Sequence, residues 1–175
     1  MDKSKLTIII PVYNCQDLLK RALDSLPLST EYQYILIDDG STDNSFEILT
    51  TWAKIHKLQM GAYIIKHWEE NKGIAYAMNY AFDNAKGEYI VSLSSDDYFI
   101  KNFSSIMPYL DGKNDLVYFD LQINNGEIWH LDNESKNKYV GAVKFIRRKF
   151  LGNTRIPNLK YREDVPFSKK LYAKN

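Results

Sequence analysis

The chain has 175 residues, 45% hydrophobic and 26% charged, enough for one globular domain with a sizeable core. Its single cysteine, Cys15, excludes an internal disulfide, and no apolar run is long enough to span a bilayer or to open the chain as a signal segment. The net charge of +1 hides an asymmetry: residues 144–175 carry +8 and residues 1–143 carry −7. A basic end suggests an anionic partner, such as a membrane surface, a diphosphate or a nucleic acid. A solvated basic helix face is the plainer reading.

In chain order, "LTIII" (6–10) reads as a buried strand that Pro11 stops. Leu18, Leu19, Ala22, Leu23 and Leu26 recur at helical spacing, and Pro27 closes that helix. "YQYILI" (32–37) is a second strand, ending at "DDGSTD". Thr42 or Asp43 can cap the next helix, whose apolar side includes Phe46, Leu49, Trp52 and Ala53. "AYIIK" (62–66) is a third strand. A helix with Ile74, Ala77, Met78, Ala81, Phe82 and Ala85 on one face follows, with Gly87 as its C-terminal cap. "EYIVSL" (88–93) is the fourth strand. Such alternation predicts βαβ units and a mainly parallel sheet.

The second half changes character. "DLVYFDLQI" and "EIWHL" flank "NNG", an Asn-Gly hairpin signal, so antiparallel strands are expected. A basic amphipathic helix is expected next, with Val140, Val143, Ile146 and Phe150 inward and Lys144, Arg148 and Lys149 outward. No internal repeat, low-complexity stretch or linker divides the chain.

Ligands of open parallel sheets bind beyond the carboxyl ends of the strands. Four such ends collect polar residues: "PVYN" (11–14), "DDGSTD" (38–43), "HWEENKG" (67–73) and "SSDDYF" (94–99). Neither the P-loop pattern nor the Gly-x-Gly-x-x-Gly turn is present; a diphosphate could instead be held by a divalent metal. Asp96 and Asp97 supply the hard oxygen ligands for that, and Asp39 could accept hydrogen bonds from a base or ribose. Taken singly, adjacent Asp residues and "DGSTD" are also ordinary turn and cap sequences. His56, His67 and His130 share no ligand spacing, and Trp52 and Trp68 read as packing residues.

Four segments together resemble the family 2 glycosyltransferases. They are "TIIIPVYN" (7–14), "ILIDDGSTDNS" (35–45), "NKGIAYAMNYAFDNAKGEYIVSLSSDDYF" (71–99) and "EDVPF" (163–167). The resemblance implies one α/β domain of GT-A, Rossmann-like type, its mostly parallel central sheet flanked by helices, with a small antiparallel hairpin in the second half. Residues 1–99 would form the nucleotide-binding half and 100–175 the acceptor-side half. It implies an inverting transferase moving a sugar from a nucleotide-sugar, most often UDP-linked, to a hydroxyl of a saccharide or lipid-linked acceptor, with Mg²⁺ or Mn²⁺, usually in cell-surface polysaccharide assembly.

By that likeness Pro11, Val12 and Tyr13 line the base pocket, Asp39 pairs with the base, and Gly73 joins the nucleotide site. Asp96 sits by the ribose or metal, Asp97 is the other candidate metal ligand, and Asp164 is the general base. Taken alone, Glu163-Asp164 before Val-Pro reads as a helix cap. Three departures stand out. Ser94 occupies a position where the family commonly has Asp, and Met78 one where it commonly has Arg. The chain has only 11 residues after Asp164, so the acceptor-side half is expected to be short. A cytoplasmic protein is expected, with peripheral contact to anionic membrane through 144–175 and no nucleic-acid partner. Two other readings fit parts of the pattern: a nucleotide-sugar-binding module with impaired catalysis and, remotely, a receiver-like signalling domain built on "ILIDDG".

Overall fold

The computed structural model describes residues 4–57, 59–100, 105–130, 144–159 and 164–174. Strands and helices alternate through the first half: β1 (Leu6–Val12), α1 (Gln16–Asp24), β2 (Tyr32–Asp38), α2 (Ser45–His56), β3 (Tyr63–His67), α3 (Ile74–Asn84) and β4 (Tyr89–Ser92). Then come β5 (Leu116–Tyr118), β6 (Leu121–Gln122), β7 (Ile128–Trp129), β8 (Lys144–Arg147), α4 (Arg148–Leu151) and α5 (Asp164–Tyr172). The expected α/β domain with a mostly parallel sheet is borne out. Six strands run in the order β3-β2-β1-β4-β8-β5, parallel from β3 to β4, with β8 antiparallel to both its neighbours. The Asn-Gly signal closes the separate β6–β7 hairpin, where the Ile123 amide donates to Glu127 O at 2.9 Å.

Both faces of the sheet are covered, which is why its strands read as continuous apolar runs. Ile8, Ile10, Tyr34 and Leu36 pack with Leu19, Ala22 and Leu23 of α1 and with Leu49 and Trp52 of α2. Ile9, Ile35, Ile37 and Ile90 pack with Ala77, Ala81 and Phe82 of α3 and with Phe167 and Leu171 of α5. Each large side chain so buried contributes roughly 1.5–3 kcal/mol. Buried polar residues fasten the end of α3. Gln33 Oε1 accepts from Thr7 Oγ1 and the Lys86 amide, Gln33 Nε2 donates to Asn84 O, and Thr7 Oγ1 accepts the Gly87 amide.

Several local expectations are corrected. Pro11 does not stop β1, which continues through Val12, paired to Asp38. Ile9 O accepts from Leu93 on the β4 side and Val12 O from Asp39 on the β2 side, so Pro11 faces the β4 side, past the end of β4. A missing N–H there costs no ladder bond. Gly87 is not a left-handed cap. A Cβ on it would lie 2.3 Å from the Thr7 amide nitrogen, so its role is close approach of backbones. Leu18 and Ile74 are exposed rather than inward. The basic amphipathic helix is not formed as expected: 144–147 is strand, only Arg148–Leu151 is helical, and Val140 and Val143 lie outside the described residues. Lys144, expected outward, is 1% exposed. Insertion of β8 between β4 and β5 buries it on both faces, and that tertiary setting overrides a helix-like spacing of apolar residues.

Candidate active site

The carboxyl ends of β1, β2 and β4 and the start of α3 surround a cleft of about 340 Å³. Pro11, Val12, Tyr13, Asp39, Gly73 and Asp96, drawn from four separate segments, all line it, together with Asn71, Ile74, Ala77, Ser94 and Ser95. Ile74 escapes the core because it opens α3 at the cleft edge. Asp97 and Asp164 are not among the lining residues.

Asp39 is 4% exposed. Its Oδ1 accepts the Lys72 amide and its Oδ2 the Gly73 amide, both at 2.8 Å, while its own amide donates to Val12 O. The carboxylate therefore holds the two amides that lead into α3, where the helix dipole also favours negative charge. Each oxygen keeps acceptor capacity toward the cleft. Gly40 lets the β2 loop meet the β3 loop. Its φ is +75°, and a Cβ would lie 2.5 Å from the Glu70 carbonyl carbon. Gly73 also has a positive φ of +89°, but a Cβ there would meet nothing within 4 Å.

The remainder of "DDGSTDNS" closes one strand-end loop on another. Amides of Asn14, Cys15 and Gln16 donate to Ser41 Oγ, Ser45 Oγ and Asp43 Oδ2, at 2.9, 2.9 and 3.0 Å. In return, Thr42 N donates to Asn14 Oδ1 and Asn44 N to Gln16 Oε1. Asp43 Oδ1 also accepts the Ser45 amide, so this one carboxylate serves the starts of both α1 and α2. Desolvation pushes its pKa up, but hydrogen bonds from Ser45 and Gln16 outweigh that and hold it below the usual carboxylate range. The N-cap position of α2 is Asn44 rather than the expected Thr42 or Asp43, and the Asp43 carboxylate reaches the first amide of each helix from just outside. The alternation of Ser41, Asp43 and Ser45 is the signal for this arrangement.

The turn after β4 is tied to α1. Arg21 donates to Asp96 O at 2.9 Å and lies 4.4 Å above the Tyr98 ring, and the Phe99 amide donates to Ser25 Oγ. The Asp97 carboxyl is raised above its ordinary pKa by desolvation and then by the charge of Asp96, against the pull of Arg21. Among the described residues no group of three His, Cys, Asp or Glu side chains could hold a metal. Two adjacent carboxylates whose repulsion Arg21 offsets only in part would nevertheless suit a hard divalent cation that takes its other oxygens from a diphosphate and water.

Asp164 opens α5, which packs against α3 through the stacked rings of Phe82 and Phe167, 5.6 Å apart. Glu163 lies outside the described residues. Near Asp164 lies a group the sequence reading placed in solvent. Lys144 is buried, and its Nζ donates to Ser168 Oγ at 3.3 Å. Burial pushes the Lys144 ammonium down to about 8, with Asp164 acting in the opposite direction.

Other singled-out residues are built into the scaffold. Met78 is buried in the α3 core, and the next residue, Asn79, clamps the Ile156 backbone with both side-chain atoms. Lys72 Nζ lies 5.0 Å from the Tyr76 ring and 5.7 Å from that of Trp68. His67 Nδ1 meets Asp38 Oδ2 at 2.8 Å, His130 meets Asp120 and His56 meets Gln59. Trp52 and Trp68 are both buried.

The family model described as "Glycosyl transferase family 2" matches residues 7–167. The chain belongs to that family. It is 40% identical over 98 residues to the poly(ribitol-phosphate) beta-glucosyltransferase of Bacillus spizizenii, covering 54% of this chain and 15% of that protein. It is 28% identical over 180 residues to the putative teichuronic acid biosynthesis glycosyltransferase TuaG of Bacillus subtilis, covering 93% of this chain and 70% of TuaG. The fold matches S. aureus TarS 1-349 with a TM-score of 0.81 at 24% identity, over 96% of this family 2 chain and 55% of that one. The same TarS fragment has been solved in complex with UDP-GlcNAc. The mannosyltransferase PcManGT of Pyrobaculum calidifontis, solved with GDP-Man and Mn²⁺, matches with a TM-score of 0.72 at 18% identity, over 95% of this chain and 51% of that one. The chain thus spans little more than half of either solved chain.

Proposed function

We propose that the protein is an inverting glycosyltransferase. It moves a sugar from a UDP-linked donor to a hydroxyl of a saccharide or lipid-linked acceptor in cell-surface polysaccharide synthesis. The convergence of Pro11, Val12, Tyr13, Asp39, Gly73 and Asp96 on one cleft carries this reading. The relatives named for poly(ribitol-phosphate) and teichuronic acid, and the TarS complex with UDP-GlcNAc, support the donor class and the setting. Residues 1–99 act as the donor half and 100–175 as the acceptor half.

In this scheme Pro11, Val12, Tyr13 and Ile74 give the base an apolar wall, and Asp39 orients it. Asp96 and Asp97 would hold Mg²⁺ or Mn²⁺, which supplies charge neutralisation on the leaving diphosphate. Asp164 takes the proton of the acceptor hydroxyl as that oxygen bonds to the anomeric carbon and the bond to the diphosphate breaks. A single displacement inverts the anomeric centre, through a transition state of oxocarbenium character.

UDP release from a panel of UDP-sugars tests the scheme. Asp164→Asn is expected to bind donor like the wild type and to lose transfer. Loss of binding, or retained transfer, would remove Asp164 from the role of base.

Peripheral contact with an anionic membrane belongs to the same proposal, and the exposed Lys149 and Lys170 are its carriers. No helix among the described residues is long and apolar enough to cross a membrane.

A further inference from the structure

A buried polar atom without a partner costs free energy, so each bond that a buried carboxylate does make matters. Asp38, the last residue of β2, is fully buried. Its Oδ1 is enclosed with no hydrogen-bond partner among the described residues. Its Oδ2 accepts the Ser41 amide at 3.2 Å and meets His67 Nδ1 at 2.8 Å. His67 ends β3 and lies opposite Asp38 in the parallel register. β3 is an end strand of the sheet, with β2 as its neighbour. The loop that leaves β3 begins at Trp68, whose amide donates to Asp38 O. It closes at Lys72 and Gly73, whose amides donate to the Asp39 carboxylate, and just before them Asn71 Nδ2 donates to Asp39 O. The two adjacent acids thus grip one loop at both ends, Asp38 at its root and Asp39 at its tip. Asp39, Asn71 and Gly73 line the cleft, whereas Asp38 and His67 do not.

We propose that His67 is a positioning residue for nucleotide binding. Through Asp38 it fixes where the loop of residues 68–73 leaves the sheet, and so holds Asn71, Gly73 and the Asp39 carboxylate in place on the cleft. This rests on the reading of that cleft as the nucleotide site. Without the imidazole, Asp38 Oδ2 keeps only the Ser41 amide among the described residues, and Oδ1 has no partner to add. The His67 side chain is 38% exposed, so its removal opens a path for water. The carboxylate then gains by turning toward that water, and the root of the loop loosens. The His67 ring also lies 4.4 Å from the Phe46 ring of α2. A packing role would rest on that ring, whereas the positioning role rests on the N–H at Nδ1.

Two substitutions in the whole chain separate these roles. His67→Phe keeps a ring beside Phe46 and removes the N–H. His67→Asn removes the ring and keeps a side-chain N–H at about the reach of Nδ1. Isothermal titration with UDP in the presence of Mn²⁺ is expected to show binding weakened about tenfold in His67→Phe, as when the competent loop arrangement falls to about a tenth of the population. His67→Asn should restore most of the lost affinity. Wild-type affinity in His67→Phe, or equal loss in both variants, overturns the positioning role. Amide hydrogen exchange reads the same loop without a ligand. The Lys72 and Gly73 amides should exchange about tenfold faster in His67→Phe and near the wild-type rate in His67→Asn. Unchanged exchange in His67→Phe overturns the tie between His67 and the loop. Absence of UDP binding in the wild type overturns the nucleotide reading instead, and the exchange rates still decide whether His67 holds the loop. His67→Ala repeats both measurements if the Phe variant does not fold.

Discussion

Asp39 does two jobs with one carboxylate: it closes the start of α3 and it faces the cleft. Asp39→Ala leaves the Lys72 and Gly73 amides without their acceptor, so it is expected to cost about 1–3 kcal/mol in urea denaturation and to weaken nucleotide binding as well. The two positive-φ glycines beside it separate conformation from space. Gly73→Ala meets only the backbone penalty, about 1–3 kcal/mol. Gly40→Ala adds a clash 2.5 Å from the Glu70 backbone and should cost clearly more, with thermal denaturation of the two variants as the comparison. At this scale the sequence told which residues collect at strand ends, because Asp, Asn and Gly after a β-branched run have few other uses. It did not tell what they bond. The amides held by Asp39, and those of Asn14, Cys15 and Gln16 held by Ser41, Ser45 and Asp43, are distant in the chain, and only the parallel register of β1 and β2 brings those two loops side by side.

The elements β1 to β4 were legible because each is an apolar run bounded by helices with their own period. β8 was not. Four residues cannot show a period of their own, and Ile146 and Phe150 happen to share a helical spacing. The partners that bury β8 are β4 and β5, and neither adjoins it in sequence. That spacing points Lys144 outward, whereas its side chain is buried and donates to Ser168 of α5. Its burial has a pH signature. The folded ammonium titrates near 8, below its ordinary 10.5, so the unfolded chain binds more protons between those values. Ser168 of α5 accepts from it, Asp164 of α5 acts on it electrostatically, and Tyr118 of β5 is its partner across the rung. The penalty on the folded state is full below pH 8 and is relieved as pH rises toward 10.5, so stability should rise across that window. Lys144→Met should flatten the rise, a difference on the order of 3 kcal/mol at most, measurable as urea midpoints at pH 7 and 10.

For the whole molecule, the +8 of residues 144–175 is less free than the count suggests. Arg147 pairs with Asp115 and donates to Gly112 O, Arg148 donates to Gly87 O, Arg155 pairs with Asp83, and Lys174 donates to Phe150 O and Leu151 O. Arg148 and Arg155 therefore hold the second half against the first, while Arg147 and Lys174 are taken up within the second half. Retention on anionic vesicles at low salt is expected to depend on Lys149 and Lys170, and Lys149→Glu with Lys170→Glu should abolish it. No retention of the wild type would end the membrane reading.

The central claim is that the cleft between β1, β2, α3 and β4 takes a nucleotide-sugar. Isothermal titration of the wild type with UDP and a panel of nucleotide-sugars, in the presence and absence of Mn²⁺, tests it most directly. Saturable binding at one site, stronger with Mn²⁺ and weakened in Asp39→Ala, is the predicted result. No binding of any panel member with Mn²⁺ present would contradict it, however well the fold matches.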